Sequence, residues 1–199
     1  MKKPIRRNYG KFSRKLALKI KKGAIGILPT DTLYGLVGSA FSRRAIARIY
    51  ELKERSAQKQ LIVLISELND LKLFGAKLDK KTQSVLKKVW PGKVSVILPV
   101  RGKSVAFRLP DDRVLRKFLN VSGPLVAPSA NREGEPPAKN IREARQYFGD
   151  RADFYLDKGT LKSKPSTLIA LKNGQVKVIR EGAVNVYRVV KTVDKLAIL

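Results

Sequence analysis

The chain alternates between short apolar runs and segments in which apolar residues recur at helical spacing. Continuous apolar runs are typical of strands covered on both faces, and alternating runs are typical of strands with one exposed face. Asn173-Gly174 separates two alternating runs and predicts a hairpin with a type I′ turn. The predicted strands are 24–28, 61–65, 94–100, 105–109, 125–127, 154–156, 166–171 and 175–180.

Helical periodicity predicts helices between these strands, several of them preceded by a residue that can cap a helix N-terminus. The predicted caps are Ser13, Ser42, Asp79 and Asn140. The predicted helical segments are 13–22, 42–53, 66–74, 79–89, 114–119 and 140–148. This order of elements predicts a single α/β domain with a mixed parallel and antiparallel sheet flanked by helices.

Polar side chains follow the ends of several predicted strands. Ligands in open α/β sheets bind beyond the strand ends, so these side chains could converge on one cleft. Ser, Thr, Asp and Asn are also common in turns for local reasons, so each group alone equally fits an ordinary exit from a strand. The residues concerned are Thr30, Asp31, Thr32, Arg108, Ser129, Asn131, Ser166, Thr167 and Arg180, with Lys53 and Arg55 at the end of the second predicted helix.

The charge of the chain is strongly unbalanced. Lys and Arg number 43 against 16 acidic residues, which gives a net charge of +27. Such an excess attracts polyanions, so nucleic acid is the first partner to consider and nucleotide phosphates are the second. The first 22 residues contain ten basic residues and no acid, and residues 1–12 are predicted to form a loose basic arm.

The chain contains no cysteine and no histidine. Their absence excludes thiol nucleophiles, disulfides, Ser-His catalysis and zinc sites of the usual kind, so no Cys- or His-ligated metal is expected. Chemistry must therefore use Lys, Arg, carboxylates, hydroxyls and the backbone. The sequence also lacks the P-loop and GxGxxG patterns, so a triphosphate would be bound by side-chain cations, hydroxyls and loop amides.

The apolar segments give no indication of a membrane partner. The longest uncharged run, 118–131, is 14 residues long and contains glycine and proline, which is too short for a span. No apolar segment follows the basic N-terminus as it would in a signal peptide. A cytoplasmic protein is therefore expected.

Seven short motifs occur together and in order along the chain. They are Pro29-Thr-Asp-Thr-Leu-Tyr-Gly35, Lys53-Glu-Arg55, Trp90-Pro-Gly92, Val105-Ala-Phe-Arg-Leu-Pro110, Pro128-Ser-Ala-Asn131, Pro165-Ser-Thr167 and Ile179-Arg-Glu-Gly182. As a set they resemble the YrdC-like threonylcarbamoyl-AMP synthases in their short, single-domain form. The resemblance implies a YrdC-like domain over 13–187, between the arm at 1–12 and a tail at 188–199, with a twisted sheet and a basic concave face.

The resemblance also implies an activity and a set of site residues. The family makes threonylcarbamoyl-AMP and pyrophosphate from L-threonine, bicarbonate and ATP, with Mg²⁺ carried by the ATP. A threonylcarbamoyl transferase complex then modifies tRNA, so tRNA or another RNA is a further expected partner. By motif, the implied threonine contacts are Thr32, Arg108, Ser129 and Ser166; the implied ATP contacts are Arg55, Lys59, Ser104, Asn131, Lys139 and Arg180; and Lys53 and Arg55 are the implied catalytic cations.

Four positions depart from the family pattern, and two other functions stay open. Gln60 replaces a usual proline, Leu64 a histidine of longer relatives, and Lys139 a small hydroxyl residue. Glu133 replaces a usual serine and puts a negative charge near a site meant for phosphates. One alternative is a carbamoyl-adenylate-forming enzyme related to a module of hydrogenase maturation proteins. The other is a non-catalytic relative that binds tRNA or rRNA, because a fold alone does not fix a function.

Overall fold

The computed structural model describes residues 12–190; the predicted arm, apart from Phe12, and the end of the predicted tail lie outside them. The strands are β1 (Gly26–Pro29), β2 (Tyr34–Ser39), β3 (Ile62–Leu64), β4 (Val94–Val100), β5 (Lys103–Arg108), β6 (Leu125–Val126), β7 (Phe154–Tyr155), β8 (Thr167–Lys172) and β9 (Gln175–Arg180). The helices are α1 (Arg14–Lys21), α2 (Arg43–Leu52), α3 (Lys80–Val89), α4 (Arg113–Ser122), α5 (Ile141–Phe148) and α6 (Val186–Val190). Short 3₁₀ segments occupy Leu68–Phe74 and Gly149–Arg151.

The nine strands form one sheet in the order β7-β1-β2-β6-β3-β5-β4-β8-β9. Three neighbouring pairs are parallel, namely β1 with β7, β3 with β5, and β4 with β8. The other pairs are antiparallel. The predicted mixed α/β sheet is therefore confirmed.

Helices cover both faces of this sheet. Successive strand residues alternate between two apolar clusters: Ile27 and Leu36 lie in one, and their neighbours Leu28 and Val37 in the other. The first cluster also takes residues from α2, α3, α5 and α6, and the second takes residues from α1 and α4. Burial on both faces explains why several strands are continuously apolar in sequence. Within residues 12–190, no helix has the length and apolar character needed to cross a membrane.

The local signals in the sequence locate most element boundaries correctly. Each of the four predicted caps accepts a backbone N–H from the residue three positions later, as an N-cap should. Asn173 and Gly174 have φ angles of 53° and 79°, as both central residues of a type I′ turn require. The helical segment predicted to start at Ser66 instead begins at Leu68. The Ser66 amide and hydroxyl both donate to the Asp70 carboxylate, so Ser66 lies before the helical segment.

The strand β2 is not predicted by the sequence, whose pattern there is typical of a loop. Two of its six residues are glycines, which disfavour strands, and all six are buried, so no alternation marks them. Gly38 is tightly packed: a Cβ there would lie 3.0–3.2 Å from the side chains of Ile25, Ala45 and Ile49. At Gly35, where the motif predicts a close backbone approach, a Cβ would meet only ordinary contacts from 3.5 Å.

Candidate active site

The turn between β1 and β2 forms the first wall of the site. The Thr30 hydroxyl donates to the Leu33 carbonyl at 2.7 Å and accepts the Thr32 amide at 3.2 Å, which fixes the turn. The Thr32 hydroxyl lies 3.1 Å from that of Thr30, and its residue is only 3% exposed. The turn therefore presents a buried hydroxyl in a defined position.

The segment after β6 forms the second wall and is held by backbone hydrogen bonds on both sides. The Leu36 amide donates to the Pro128 carbonyl, and the Ala130 amide donates to the Tyr34 carbonyl. These bonds place Ser129 beside the start of β2. The Ser129 hydroxyl in turn donates to Asn131 Oδ1 at 2.6 Å, so the serine and asparagine of this motif form one unit.

Arg108 is buried at the end of β5 and contacts the first wall. Its Nη2 lies 3.0 Å from Asp31 Oδ1 and donates to the Thr30 hydroxyl at 3.1 Å. Burial lowers the pKa of Arg108, and the Asp31 carboxylate opposes that effect. Its Nε has no hydrogen-bond partner among residues 12–190. Arg108 therefore keeps an unused donor in a buried position.

The hairpin of β8 and β9 contributes the third wall. The Ser166 hydroxyl lies 2.8 Å from that of Ser95, and the Ser166 carbonyl accepts from Arg180 Nη2 at 2.9 Å. The chain packs tightly here, because a Cβ at Gly182 would overlap the Pro165 carbonyl oxygen. The Pro165 and Gly182 motifs, well separated in sequence, are thus one structural unit.

These walls enclose a cavity of about 170 Å³. Pockets for drug-sized ligands are about 300–1,000 Å³, so this one suits a smaller molecule. Its lining residues are Thr30, Thr32, Leu33, Tyr34, Gly35, Ile62, Arg108, Ala127, Ser129, Pro137, Pro165, Ser166 and Arg180. All four residues predicted to contact threonine are therefore brought together around one small cavity.

Arg108 and Arg180 line this cavity, and the charge of Arg55 acts on Arg180 as that of Arg180 acts on Arg108; we call these three residues the arginine row. Burial lowers the pKa of Arg180, and the charge of the neighbouring Arg55 lowers it further. The charge of Arg180 likewise contributes to the lowered pKa of Arg108. Guanidinium groups that disfavour each other's charge in this way would be stabilised by a bound anion. The row Arg108–Arg180–Arg55 is therefore suited to a polyanionic ligand next to the cavity.

Lys53 is buried and donates hydrogen bonds to the second wall. Its residue is 1% exposed, and its Nζ donates to the carbonyls of Ser129 and Asn131, both at 2.6 Å, and to Asn131 Oδ1 at 3.1 Å. Burial is the main reason that the pKa of Lys53 falls to about 8; the charge of Arg55 lowers it further and Glu133 opposes the change. These contacts fix the Ser129–Asn131 segment, and the catalytic role implied for Lys53 stays a prediction.

The segment that follows α2 is turned sharply toward the second wall. Glu54 adopts the left-handed conformation with φ of 52°, and the amides of Glu54 and Arg55 donate to the carbonyls of Glu51 and Tyr50. This is a Schellman motif with a glutamate where glycine is usual. It directs Arg55 away from the helix. Arg55 Nη2 donates to the Gln60 carbonyl at 3.3 Å, and its Nε has no partner in the described part of the chain.

Of the six predicted ATP contacts, Arg180 lines the cavity and the other five do not. Ser104 is exposed at the hairpin end of β5, about 13 Å along the strand from Arg108. Lys139 is exposed immediately before the N-cap of α5, two residues after the lining residue Pro137. Lys59, also exposed, pairs with Glu133. No group of three or more Asp, Glu, Cys or His side chains suited to a metal ion occurs within residues 12–190.

The sequence did not reveal two residues that hold cavity-lining side chains in place. Asp31 pairs with Arg108, and Ser95 pairs with Ser166, yet neither was predicted to fix a substrate-binding side chain. Asp31 was visible as part of a polar turn, but its partner is 77 positions away. Ser95 is a single serine in an apolar strand, and nothing in its local sequence distinguishes it.

Comparison with known proteins places the chain in a family. Residues 19–182 match the Sua5_yciO_yrdC family, whose description is Telomere recombination. Threonylcarbamoyl-AMP synthase from Marinobacter nauticus is 35% identical over 167 residues, which cover 77% of this chain and 87% of that protein. The protein of the same name from Cellvibrio japonicus is 32% identical over 170 residues, covering 79% and 89%.

The fold agrees with a solved structure over nearly its whole length. Pyrococcus abyssi Sua5, in a crystal structure complexed with L-threonine, matches with a TM-score of 0.84 and 27% identity. The match covers 94% of this chain and 58% of the Sua5 chain, so this protein spans little more than half of that relative. From these matches, the chain belongs to the Sua5/YciO/YrdC family.

Proposed function

We propose that the protein is a threonylcarbamoyl-AMP synthase, a nucleotidyltransferase that forms threonylcarbamoyl-AMP and pyrophosphate from L-threonine, bicarbonate and ATP. The observation that carries the proposal is a small, hydroxyl-lined cavity with a buried arginine that opens onto a row of arginines. The names of the Marinobacter and Cellvibrio relatives support the same activity. One cavity for an amino acid and an adjacent cationic row for a triphosphate are what this reaction needs.

Threonine would occupy the cavity. Arg108 would pair with its carboxylate through the guanidinium donors that Asp31 and Thr30 do not use. The hydroxyls of Thr32, Ser129 and Ser166 are suited to its amino and hydroxyl groups. Because hydrogen bonds within the protein already fix the three walls, these contacts would be preorganised before the substrate arrives.

ATP, with Mg²⁺ carried as part of the substrate, would lie along the arginine row. Arg55, Lys59 and Arg180 would neutralise its phosphates, with Asn131 beside them. Lys139, two residues past the cavity residue Pro137, is proposed as an outer contact to ATP, whereas the position of Ser104 does not support its predicted contact with ATP.

The reaction needs no protein nucleophile. Bicarbonate and the threonine amine give a carbamate and water, a carbamate oxygen attacks the α-phosphorus, and the bond to the β-phosphate breaks. Catalysis would consist of positioning and stabilisation of the leaving pyrophosphate.

The decisive experiment measures pyrophosphate release by the purified protein with each substrate omitted in turn. We expect release from MgATP to require both threonine and bicarbonate, with an adenylate product of threonine detected by mass spectrometry. Release with carbamoyl phosphate in place of threonine and bicarbonate would favour the carbamoyl-adenylate alternative. No release under either condition, with RNA binding retained, would favour the non-catalytic alternative.

We further propose that the protein works in the cytoplasm and supplies its product to a threonylcarbamoyl transferase complex that modifies tRNA. An acyl adenylate is a mixed anhydride that water hydrolyses, so a second enzyme must consume it promptly.

RNA binding is a second candidate function, favoured by one surface. The helices α1 and α4 pack against each other, neither contains an acidic residue, and both expose basic side chains. The exposed cations are Arg14, Lys15, Lys19, Lys21, Lys22, Arg113 and Lys117.

Removing charge from this surface should weaken RNA binding in a salt-dependent way. In a variant with Lys15, Lys19, Arg113 and Lys117 changed to Gln, we expect the slope of log affinity against log salt to become shallower. The slope should change by about 0.9 for each phosphate of a duplex stem that the variant no longer neutralises. Filter binding of tRNA across a salt series measures it, and adenylate synthesis should not change.

A matched variant controls for total charge. Changing the exposed Lys80, Lys81, Lys87 and Lys88 of α3 to Gln removes the same charge from a different surface. Equal slopes for the two variants would show that RNA responds to net charge and not to the face of α1 and α4. The predicted basic arm, which apart from Phe12 lies outside the described residues, can be tested in the same assay by deleting residues 1 to 12.

A further inference from the structure

Two segments bound the proposed phosphate side of the site, residues 53–60 after α2 and residues 129–135 after β6. Buried hydrogen bonds join them: besides the contacts of Lys53, the Glu133 amide donates to the Lys53 carbonyl at 2.8 Å. Two exposed ion pairs also join them. Lys59 Nζ pairs with Glu133, and Arg132 Nε lies 3.3 Å from Glu54 Oε1. The buried bonds fix the segments, so the exposed pairs are free to exchange partners.

The Glu133 carboxylate lies among the cations proposed to bind phosphates. The hydrogen bond from Lys59 is the main cause that lowers the pKa of Glu133, and the charges of Arg55 and Lys53 lower it further. In contrast, Glu54 pairs across the same two segments with Arg132, which has no proposed role. Glu133 is thus an anion built into the place where a substrate anion would be expected.

We propose that the Glu133 carboxylate competes with the phosphates of ATP and of pyrophosphate for binding to Lys59. This inference rests on the proposed function. Without a ligand, the Glu133 carboxylate pairs with Lys59. When a phosphate ligand binds, its oxygens displace the carboxylate and pair with Lys59. The Lys59 side chain is 58% exposed, and exposed ion pairs contribute little, so the exchange costs little. Glu133 therefore lowers affinity for polyphosphates and favours release of pyrophosphate after the reaction.

The test compares Glu133→Gln with the wild type by calorimetric titration of MgATP and, separately, of inorganic pyrophosphate. We expect both to bind more tightly to Glu133→Gln, by about 2- to 10-fold at low salt, the range of an exposed ion pair plus the repulsion removed. The gain should shrink as salt is raised, because exposed charges are screened. Glu133 is a loop residue, and thermal unfolding checks that the variant folds.

Two further variants make the result specific. Glu54→Gln removes the same charge from the neighbouring ion pair, and we expect it to change affinity less than Glu133→Gln does. In a Lys59→Gln background, Glu133→Gln should give a smaller gain, because the cation it releases is absent. An equal gain in Glu54→Gln, an undiminished gain without Lys59, or no gain in a protein that binds MgATP would each overturn the proposal. Tighter pyrophosphate binding by Glu133→Gln in a protein that shows no threonine-dependent adenylate synthesis would uphold Glu133 as competitor and reject the synthase.

Discussion

Replacing Arg108 with alanine is expected to reduce the free energy of unfolding by about 3–5 kcal/mol, the cost of breaking one side of a buried ion pair. The partner left behind is Asp31, whose side chain is 3% exposed. Chemical denaturation of the wild type and the variant measures this loss. The double variant Asp31→Asn/Arg108→Ala should recover part of it, because it no longer buries an unpaired carboxylate. Equal stability of the single and double variants would show that the pair does not couple.

Arg108→Lys separates binding from stability. Lysine keeps the charge that Asp31 needs but cannot present two parallel donors to a carboxylate. We therefore expect its affinity for threonine to fall more than its affinity for MgATP, in separate calorimetric titrations. If ATP affinity falls while threonine affinity holds, the two sides of the site have been assigned in reverse.

Arg55→Ala should have the largest effect on turnover while leaving the fold intact. We expect a loss of about 2–4 kcal/mol of transition-state stabilisation, the scale of removing one preorganised charge-stabilising group. This corresponds to a decrease in kcat/KM of about 30- to 1,000-fold. The fold should persist because the one hydrogen bond that the Arg55 side chain makes within residues 12–190, to the Gln60 carbonyl, is long and exposed.

Arg142→Ala is the matched control for this variant. Arg142 is exposed on α5 and lines no part of the cavity, so its loss removes the same charge without touching the arginine row. We expect kcat/KM of Arg142→Ala to remain close to that of the wild type. Near-wild-type turnover in Arg55→Ala would contradict the assignment of the triphosphate to the segment after α2. An equal loss of turnover in both variants would indicate a general charge effect.

The parts of the fold that could be predicted are those with local causes. Helix caps and the Asn173-Gly174 turn depend on residues within three positions of each other, and the sequence contains the whole interaction. β2 could not be found this way, because its two glycines disfavour strands and the tight packing of Gly38 against Ile25, Ala45 and Ile49 is not visible in the local sequence. Its pairing with β1 and β6 is set by the sheet as a whole.

The site shows the same division. The rule that ligands lie beyond strand ends correctly grouped Thr32, Arg108, Ser129 and Ser166 around one cavity. The partners that fix Arg108 and Ser166 could not be predicted, because Asp31 and Ser95 lie 77 and 71 positions away from them in sequence. The resemblance indicated that the charge of Glu133 lies near the phosphate site, but the sequence did not show that Glu133 pairs with Lys59, 74 residues away.

Lys53 has a consequence for how the two substrates would influence each other. One buried amine holds the carbonyl of Ser129, on the side proposed for threonine, and that of Asn131, on the side proposed for ATP. A ligand that stabilises either carbonyl position stabilises the other, so the two binding equilibria should be thermodynamically linked.

Linkage of this kind must be reciprocal. We expect a non-reactive ATP analogue to tighten threonine binding by about 5-fold or more, and threonine to tighten binding of the analogue by the same factor. Calorimetric titration of each ligand with and without the other measures both factors, and affinities that do not depend on the other ligand would contradict the link. The segment held by Lys53 would then favour the ternary complex over either binary one, so that little ATP is bound unproductively when threonine is scarce.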